Sequence, residues 1–187
     1  MVRMTSSPSA SPSVPRPARP GPASSRTTPP PGAATPAPSG DLAVALASLA
    51  GFDGCFGCGS EAESGLRIRH TGAEDGVVTC EFTVRKEHQG APGLCHGGVL
   101  ATAMDEALGG AAWLLGNRYV TGRLETDYLA PVPVDSDVFV RAWCTGVDGR
   151  KAYLEGEARV GGPEGTIAVR AAAVFIEVPG EHFVPEG

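Results

Sequence analysis

His96-Gly97-Gly98-Val99-Leu100-Ala101-Thr102-Ala103-Met104-Asp105-Glu106-Ala107-Leu108-Gly109-Gly110-Ala111-Ala112-Trp113-Leu114-Leu115 is the stretch whose reading decides the fold. From Gly97 to Leu115 it runs 19 residues, and its only polar side chains are Thr102, Asp105 and Glu106. That length is helical. A helix apolar nearly all round belongs inside a protein rather than on its surface. A membrane span would need no more residues than this. Two adjacent carboxylates at mid-span and the lack of a basic flank argue against one, so no membrane span is expected.

Strand-like segments flank the helix on both sides. Leu66-Arg67-Ile68-Arg69 suggests a short strand, and in the next one Val78, Cys80, Phe82 and Val84 alternate with Thr79, Glu81 and Thr83. Lys86 to Cys95 reads as a loop, marked by Gly90, Pro92 and Gly93. After Gly116 come strands at Tyr119–Leu129, Val138–Val147, Lys151–Val160 and Thr166–Val178, with Asp148-Gly149 as a hairpin turn between the second and third. Two strands, one helix and four strands lack the alternation of a parallel sheet. The expected fold is α+β, a long central helix wrapped by an antiparallel sheet.

Composition divides the chain further out. Residues 1–40 hold 11 of the 17 prolines, four arginines and no acid, whereas residues 41–187 carry 11 basic and 21 acidic side chains. The first part predicts a disordered Pro/Ser/Ala-rich tail with polyproline II character around Pro29-Pro30-Pro31. The second predicts one domain, opening with a short helix at residues 42–50 capped by Asp41. The acidic body argues against nucleic acid as a partner. Five cysteines, an odd number in a chain able to build a core, point to a reducing compartment, and no apolar signal core precedes the body, so a cytoplasmic location is expected. Cys55-Phe56-Gly57-Cys58 supplies two ligands where a structural zinc site needs four, so it is expected to be a packed turn. Neither a metal nor a cofactor is expected.

Two features carry chemistry. Asp105 sits midway along a helix that must be buried, where a carboxylate is costly unless paired, hydrogen-bonded or used. A structural acceptor and a catalytic group both satisfy that condition. Glu106 lies about 100° further round, so at most one of the two is expected to point at a given site. The other feature is the helix start, where the backbone N–H groups of Gly97 and Gly98 suit a carbonyl oxygen gaining negative charge. Gly97 and Asp105 are roughly 12 Å apart along the axis, too far to share one substrate within a chain. If both act, two chains must pair them, Gly97 of one with Asp105 of the other, in a two-fold dimer with two composite sites.

The run from His96 to Asp105, preceded by Gln89-Gly90-Ala91-Pro92-Gly93, resembles the signature of hotdog-fold acyl-CoA thioesterases of the PaaI-like branch. Within that branch it is similar to the subgroup that includes mammalian mitochondrial long-chain acyl-CoA thioesterases. Thr121 lies 16 residues after Asp105, where the subgroup places a hydroxyl. Tyr128-Leu129-Ala130-Pro131 resembles the end of its third strand, and Gly149-Arg150-Lys151 its turn before the penultimate one. The likeness runs from about Cys55 to Val178. It implies a hotdog fold and a homodimer or dimer of dimers with acyl-CoA at the interface. It also implies hydrolysis of an acyl-CoA or related thioester to free acid and thiol. Asp105 would activate water or attack the thioester, and Thr121 would orient water or substrate. Gly97 of the other subunit, with Gly98 beside it, would hold the oxyanion, and His96 would brace that turn. Arg150 and Lys151 would meet CoA phosphates. Many members carry an asparagine six residues before the histidine; here Gly90 stands there, and Gln89 is the neighbouring candidate for an oxyanion donor. Asp127 replaces a neutral amide usual in the subgroup. Two alternatives share the resemblance: a non-catalytic acyl-CoA-binding protein, and a hotdog dehydratase acting on a 3-hydroxyacyl thioester, which needs a histidine base inside the tunnel.

Overall fold

The apolar run does form a helix, α1 (Gly97–Trp113), in a computed structural model that describes residues 26–38, 41, 43 and 52–183. Its alanines keep the cylinder narrow, so a sheet can close round it. Six strands do so: β1 (Arg69–Glu74), β2 (Val77–Thr83), β3 (Tyr119–Tyr128), β4 (Asp137–Asp148), β5 (Lys151–Val160) and β6 (Thr166–Glu177). They form one antiparallel sheet in the order β1-β2-β4-β5-β6-β3. The strand that follows the helix thus ends up at the far edge, where β3 pairs only with β6.

Alternation decides which side chains meet the helix. Val138, Val140 and Ala142 of β4, Leu154 and Ala158 of β5, and Ala171, Ala173 and Phe175 of β6 are buried in one core with Leu100, Met104, Ala107 and Leu108 of α1. The expected inward set of β2, Val78, Cys80 and Phe82, is in that core with Val84 just beyond it. The segment 66–69 differs from expectation. Leu66 and Ile68 are buried, but Arg67 takes φ +53° and the strand begins only at Arg69. The left-handed residue breaks the extended backbone, so these two side chains anchor a loop instead. No helix among the described residues is long and apolar enough to cross a membrane.

The sheet's other face also has cover. Residues 26–38, expected to lack structure, lie on it: Thr27 donates to Glu125 Oε2 at 2.8 Å, and Ala34 pairs with Val147 through two backbone hydrogen bonds. A path from β3 to β4 crosses β6 and β5, where Val174 and Tyr153 point outward and are buried. Proline lowers the entropy of ordering such a strap. The polyproline II expectation gives way to a turn, in which Ala33 N–H reaches Pro30 O at 3.1 Å and Gly32 takes φ +87°, as Pro-Gly favours. Asp41 Oδ1 accepts from Ala43 N–H at 2.7 Å, as a cap would; the rest of the run 42–50 lies outside the described residues.

Where α1 crosses the centre of the sheet, β5 carries Gly156. A Cβ there would stand 2.8 Å from the Arg141 carbonyl oxygen and 3.0 Å from Met104 Cε. The helix can approach this closely only because the side chain is missing. Gly156→Ala should therefore destabilise the protein by about 1–3 kcal/mol, read from urea denaturation; an unchanged midpoint would mean that the helix seat is looser than this geometry.

Candidate active site

Asp105 and Thr121 come from elements that only the fold makes neighbours. Thr121 lies near the start of edge strand β3, and its hydroxyl donates to Asp105 Oδ1 at 2.7 Å. A register irregularity between Thr121 and Arg123, at Gly122, separates Thr121 from the regular pairing that follows. Both residues line a cavity of about 340 Å³, walled mainly by apolar groups such as Trp113, Phe175 and Gly109. Burial pushes the Asp105 carboxyl above its ordinary range, and the Thr121 hydrogen bond pulls it part of the way back.

Glu106 lines the same cavity, so both adjacent carboxyls point into it. The expectation that at most one could do so fails because the cavity extends round the helix, from β3 on one side to the Cys55–Cys58 turn on the other. Burial raises the Glu106 carboxyl as well. Hydrogen bonding with Cys58 and Cys55 opposes that rise, while the charge of Asp105 adds to it.

The helix start opens elsewhere. Gly97 lines a separate cavity of about 360 Å³ with Leu100, Tyr128 and Leu129. His96 is the N-cap, and its Nδ1 accepts the Gly98 N–H at 2.9 Å. The Gly98 amide is therefore engaged, whereas Gly97 N–H meets no acceptor among the described residues. Tyr128 was read only as the end of a strand, yet its hydroxyl donates to Gly97 O at 2.9 Å and its ring packs over that glycine. Tyr128 shares strand parity with the half-buried Leu124, a signal the spacing carries, but nothing in the spacing discloses its reach to Gly97. Gln89 Oε1 accepts the Gly93 N–H at 2.9 Å, closing the loop that leads into α1. Arg150 and Lys151 occupy the exposed β4–β5 turn and line neither cavity. Asp127 lies in β3 opposite Arg170 of β6, next to Tyr128 in sequence but on the other face of the sheet. The structure thus unites Asp105 with Thr121, keeps Gly97 and His96 apart from them, and leaves Arg150 and Lys151 on an exposed turn. It also places His70 of β1 on the Asp105 cavity wall, with a buried Nε2 that has no hydrogen-bond partner among the described residues.

Residues 92–167, which include α1 and most of the sheet, match the thioesterase superfamily. One long helix packed against a six-stranded antiparallel sheet is the hotdog fold. It is 36% identical over 104 residues to acyl-coenzyme A thioesterase THEM4 of Bos taurus, a match that takes in 56% of this chain and 42% of that protein. The alignment therefore spans less than half of the curated relative. A solved thioesterase superfamily protein, RHA08564, is 32% identical with a TM-score of 0.54, over 58% of this chain and 55% of its own. The E. coli PaaI protein of the phenylacetic acid degradation operon shares the fold at a TM-score of 0.63 and 17% identity, over 74% of this chain and 94% of its own.

The Asp105 carboxyl is less acidic in the fold than in an unfolded chain. Its ionisation at neutral pH therefore weakens the folded state, a penalty that is absent at pH values below the unfolded carboxyl's pKa. Asp105→Asn keeps an oxygen for Thr121 and removes that ionisation. The variant should be at least as resistant to thermal unfolding as the parent at neutral pH, with the difference vanishing in acid. A variant clearly weaker at neutral pH would show the carboxylate to be structural.

Proposed function

We propose that the protein hydrolyses an acyl-CoA or related acyl thioester to the free acid and thiol. The observation that carries this reading is a carboxyl held by a single hydroxyl in a mostly apolar cavity, on a domain of the thioesterase superfamily. Asp105 acts as general base toward water or as nucleophile toward the carbonyl carbon. Attack pushes the carbonyl electrons onto oxygen, and their return breaks the carbon–sulfur bond; with water as nucleophile the free acid forms directly and the leaving thiolate takes the proton that Asp105 drew from water, whereas with Asp105 as nucleophile water then cleaves the mixed anhydride, releasing the acid and restoring the carboxylate. Thr121 orients the carboxylate and favours its charged form. The walls exclude bulk water and accept an acyl chain. The name of the curated relative, an acyl-coenzyme A thioesterase, supports CoA as the thiol. Arg150 and Lys151, exposed and without an ion pair among the described residues, are suited to its phosphates.

The oxyanion must be held from another chain. Eight residues of helix separate Gly97 from Asp105, roughly 12 Å, and the two open on different cavities. A second protomer whose helix runs antiparallel brings its Gly97 N–H to the Asp105 of the first. The unpaired edge of β3 supports such a dimer, as do Tyr128 and Leu129 at its end, 52% and 46% exposed. A cytoplasmic setting accords with five cysteines that are all free thiols.

One observation favours a second reading. The orphan Nε2 of His70 puts a histidine inside the cavity, as dehydration of a 3-hydroxyacyl thioester requires. Hydrolysis releases a thiol, whereas dehydration yields an enoyl thioester and no thiol.

Two outcomes are expected. On a panel of acyl-CoA substrates with detection of released thiol, Asp105→Asn should lose roughly 10²–10⁴-fold in kcat while still binding substrate; undiminished turnover in the folded variant would remove Asp105 from the mechanism. Mixing Gly97→Pro with Asp105→Asn, each inactive alone, should restore about a quarter of the sites once subunits exchange, since half the dimers are mixed and each mixed dimer has one intact site. No recovery despite exchange shown by native mass spectrometry would refute the shared site.

A further inference from the structure

Hydrolysis as proposed gives Glu106 no part, yet the fold sets its carboxyl in the cavity wall and brings two thiols to it. The ligating atoms of Cys55, Cys58 and Glu106 all lie within 4.8 Å of one another, and Cys55 Sγ is 3.9 Å from Glu106 Oε2. The cluster joins two elements, the loop before β1 and the helix α1.

The loop is built for this approach. Cys55 N–H bonds to Phe52 O and Gly59 N–H to Cys55 O, both at 2.8 Å, so the Cys-x-x-Cys turn folds back on itself. Phe56 O and Gly57 O accept from Leu66 and Ile68, the two side chains buried in the core, which ties the turn to the domain. A Cβ on Gly57 would overlap Glu106 Oε2, so glycine is what lets the carboxylate close against the turn. On Gly59 a Cβ would overlap the Asp53 carbonyl oxygen and the Cys55 backbone.

Three groups that each become anionic by losing a proton thus converge, and none of them has an ion pair with a cationic side chain among the described residues. A divalent cation is the ligand that makes such a set favourable in its deprotonated form. Thiolates exclude the hard cations. Two sulfurs and one carboxylate oxygen, with bonds of about 2.3 Å and 2.0–2.2 Å, suit a tetrahedral ion of the zinc class. Such bonds put neighbouring ligand atoms about 3.5–3.8 Å apart, near the 3.9 Å between Cys55 Sγ and Glu106 Oε2.

We infer that Cys55, Cys58 and Glu106 form a three-ligand site for a zinc-class divalent cation, with the fourth position open to the cavity that holds Asp105. The turn alone offers two ligands, which is why its sequence reads as a packing motif; the third comes from the helix, 48 residues after Cys58. An ion there clamps the loop to α1 beside the catalytic carboxyl. The assignment does not rest on thioesterase activity.

The test uses the full chain, reduced, stripped with a chelator and titrated anaerobically with cobalt(II) as a spectroscopic stand-in for zinc. A thiolate-to-cobalt charge-transfer band with tetrahedral visible bands should grow to one ion per chain and vanish when zinc is added. Cys55→Ser and Cys58→Ser should each weaken the band, and the double variant should abolish it. Glu106→Gln should keep thiolate absorption but bind roughly tenfold or more weakly. Failure of the reduced parent protein to develop the band would overturn the site without reference to any variant's folding. So would a band that persists in the double cysteine variant, and Glu106→Gln binding as tightly as the parent would remove the carboxylate from it. None of these readouts depends on turnover, so a chain that binds cobalt yet hydrolyses no thioester separates this site from the proposed function.

Discussion

Asp105 sits half-buried at the middle of α1, among side chains that are mostly apolar. A sheet that closes round a helix can do so only if the helix offers small, apolar side chains, and α1 does, apart from Thr102 and two adjacent acids. A carboxylate in such surroundings loses hydration that the protein must replace. Here a single hydroxyl from the edge strand replaces part of it, and the carboxyl stays less acidic than usual. A carboxyl with raised proton affinity beside a mostly apolar cavity is held at some cost to the fold. Glu106 sharpens the constraint, because the charge of the adjacent Asp105 adds to the burial that opposes its ionisation.

The rigidity of the same helix sets the second constraint. An α-helix cannot be shortened, so the amide at its start and the carboxyl at its middle are held apart by roughly 12 Å. Each opens on its own cavity, and Tyr128 and His96 fix the glycine turn while Thr121 fixes the acid. The carboxyl and the glycine turn therefore face different ways. Strand β3, at the edge of the sheet among the described residues, lies between them, with Thr121 near one end and Tyr128 at the other.

The far side of the sheet obeys the same need for cover. Trp143, Tyr153 and Val174 point away from the helix and are nevertheless buried, and the segment 26–38 lies across that face. Glu157, fully buried there, is surrounded by Arg141, Arg159 and Arg170 of three neighbouring strands, with Arg141 and Arg159 at 2.7 and 2.8 Å. Buried charge is tolerated on this face through pairing, whereas around Asp105 it is tolerated through a hydroxyl and a raised proton affinity. The first arrangement holds strands together; the second leaves a group able to react.

Much of this could be read along the chain. An apolar run of helical length and strands of period two are local patterns, so they disclosed the helix, the antiparallel sheet and the inward face of β2. The spacing from Gly97 to Asp105 was legible too, because helical rise is constant. Contacts made across the fold were not. That Tyr128 reaches Gly97, that Glu106 shares the Asp105 cavity with Cys55 and Cys58, and that proline-rich residues 26–38 lie on the outer face all depend on which surfaces meet. Periodicity specifies the direction in which a side chain leaves its own element. Only the packing of sheet on helix decides what it finds there.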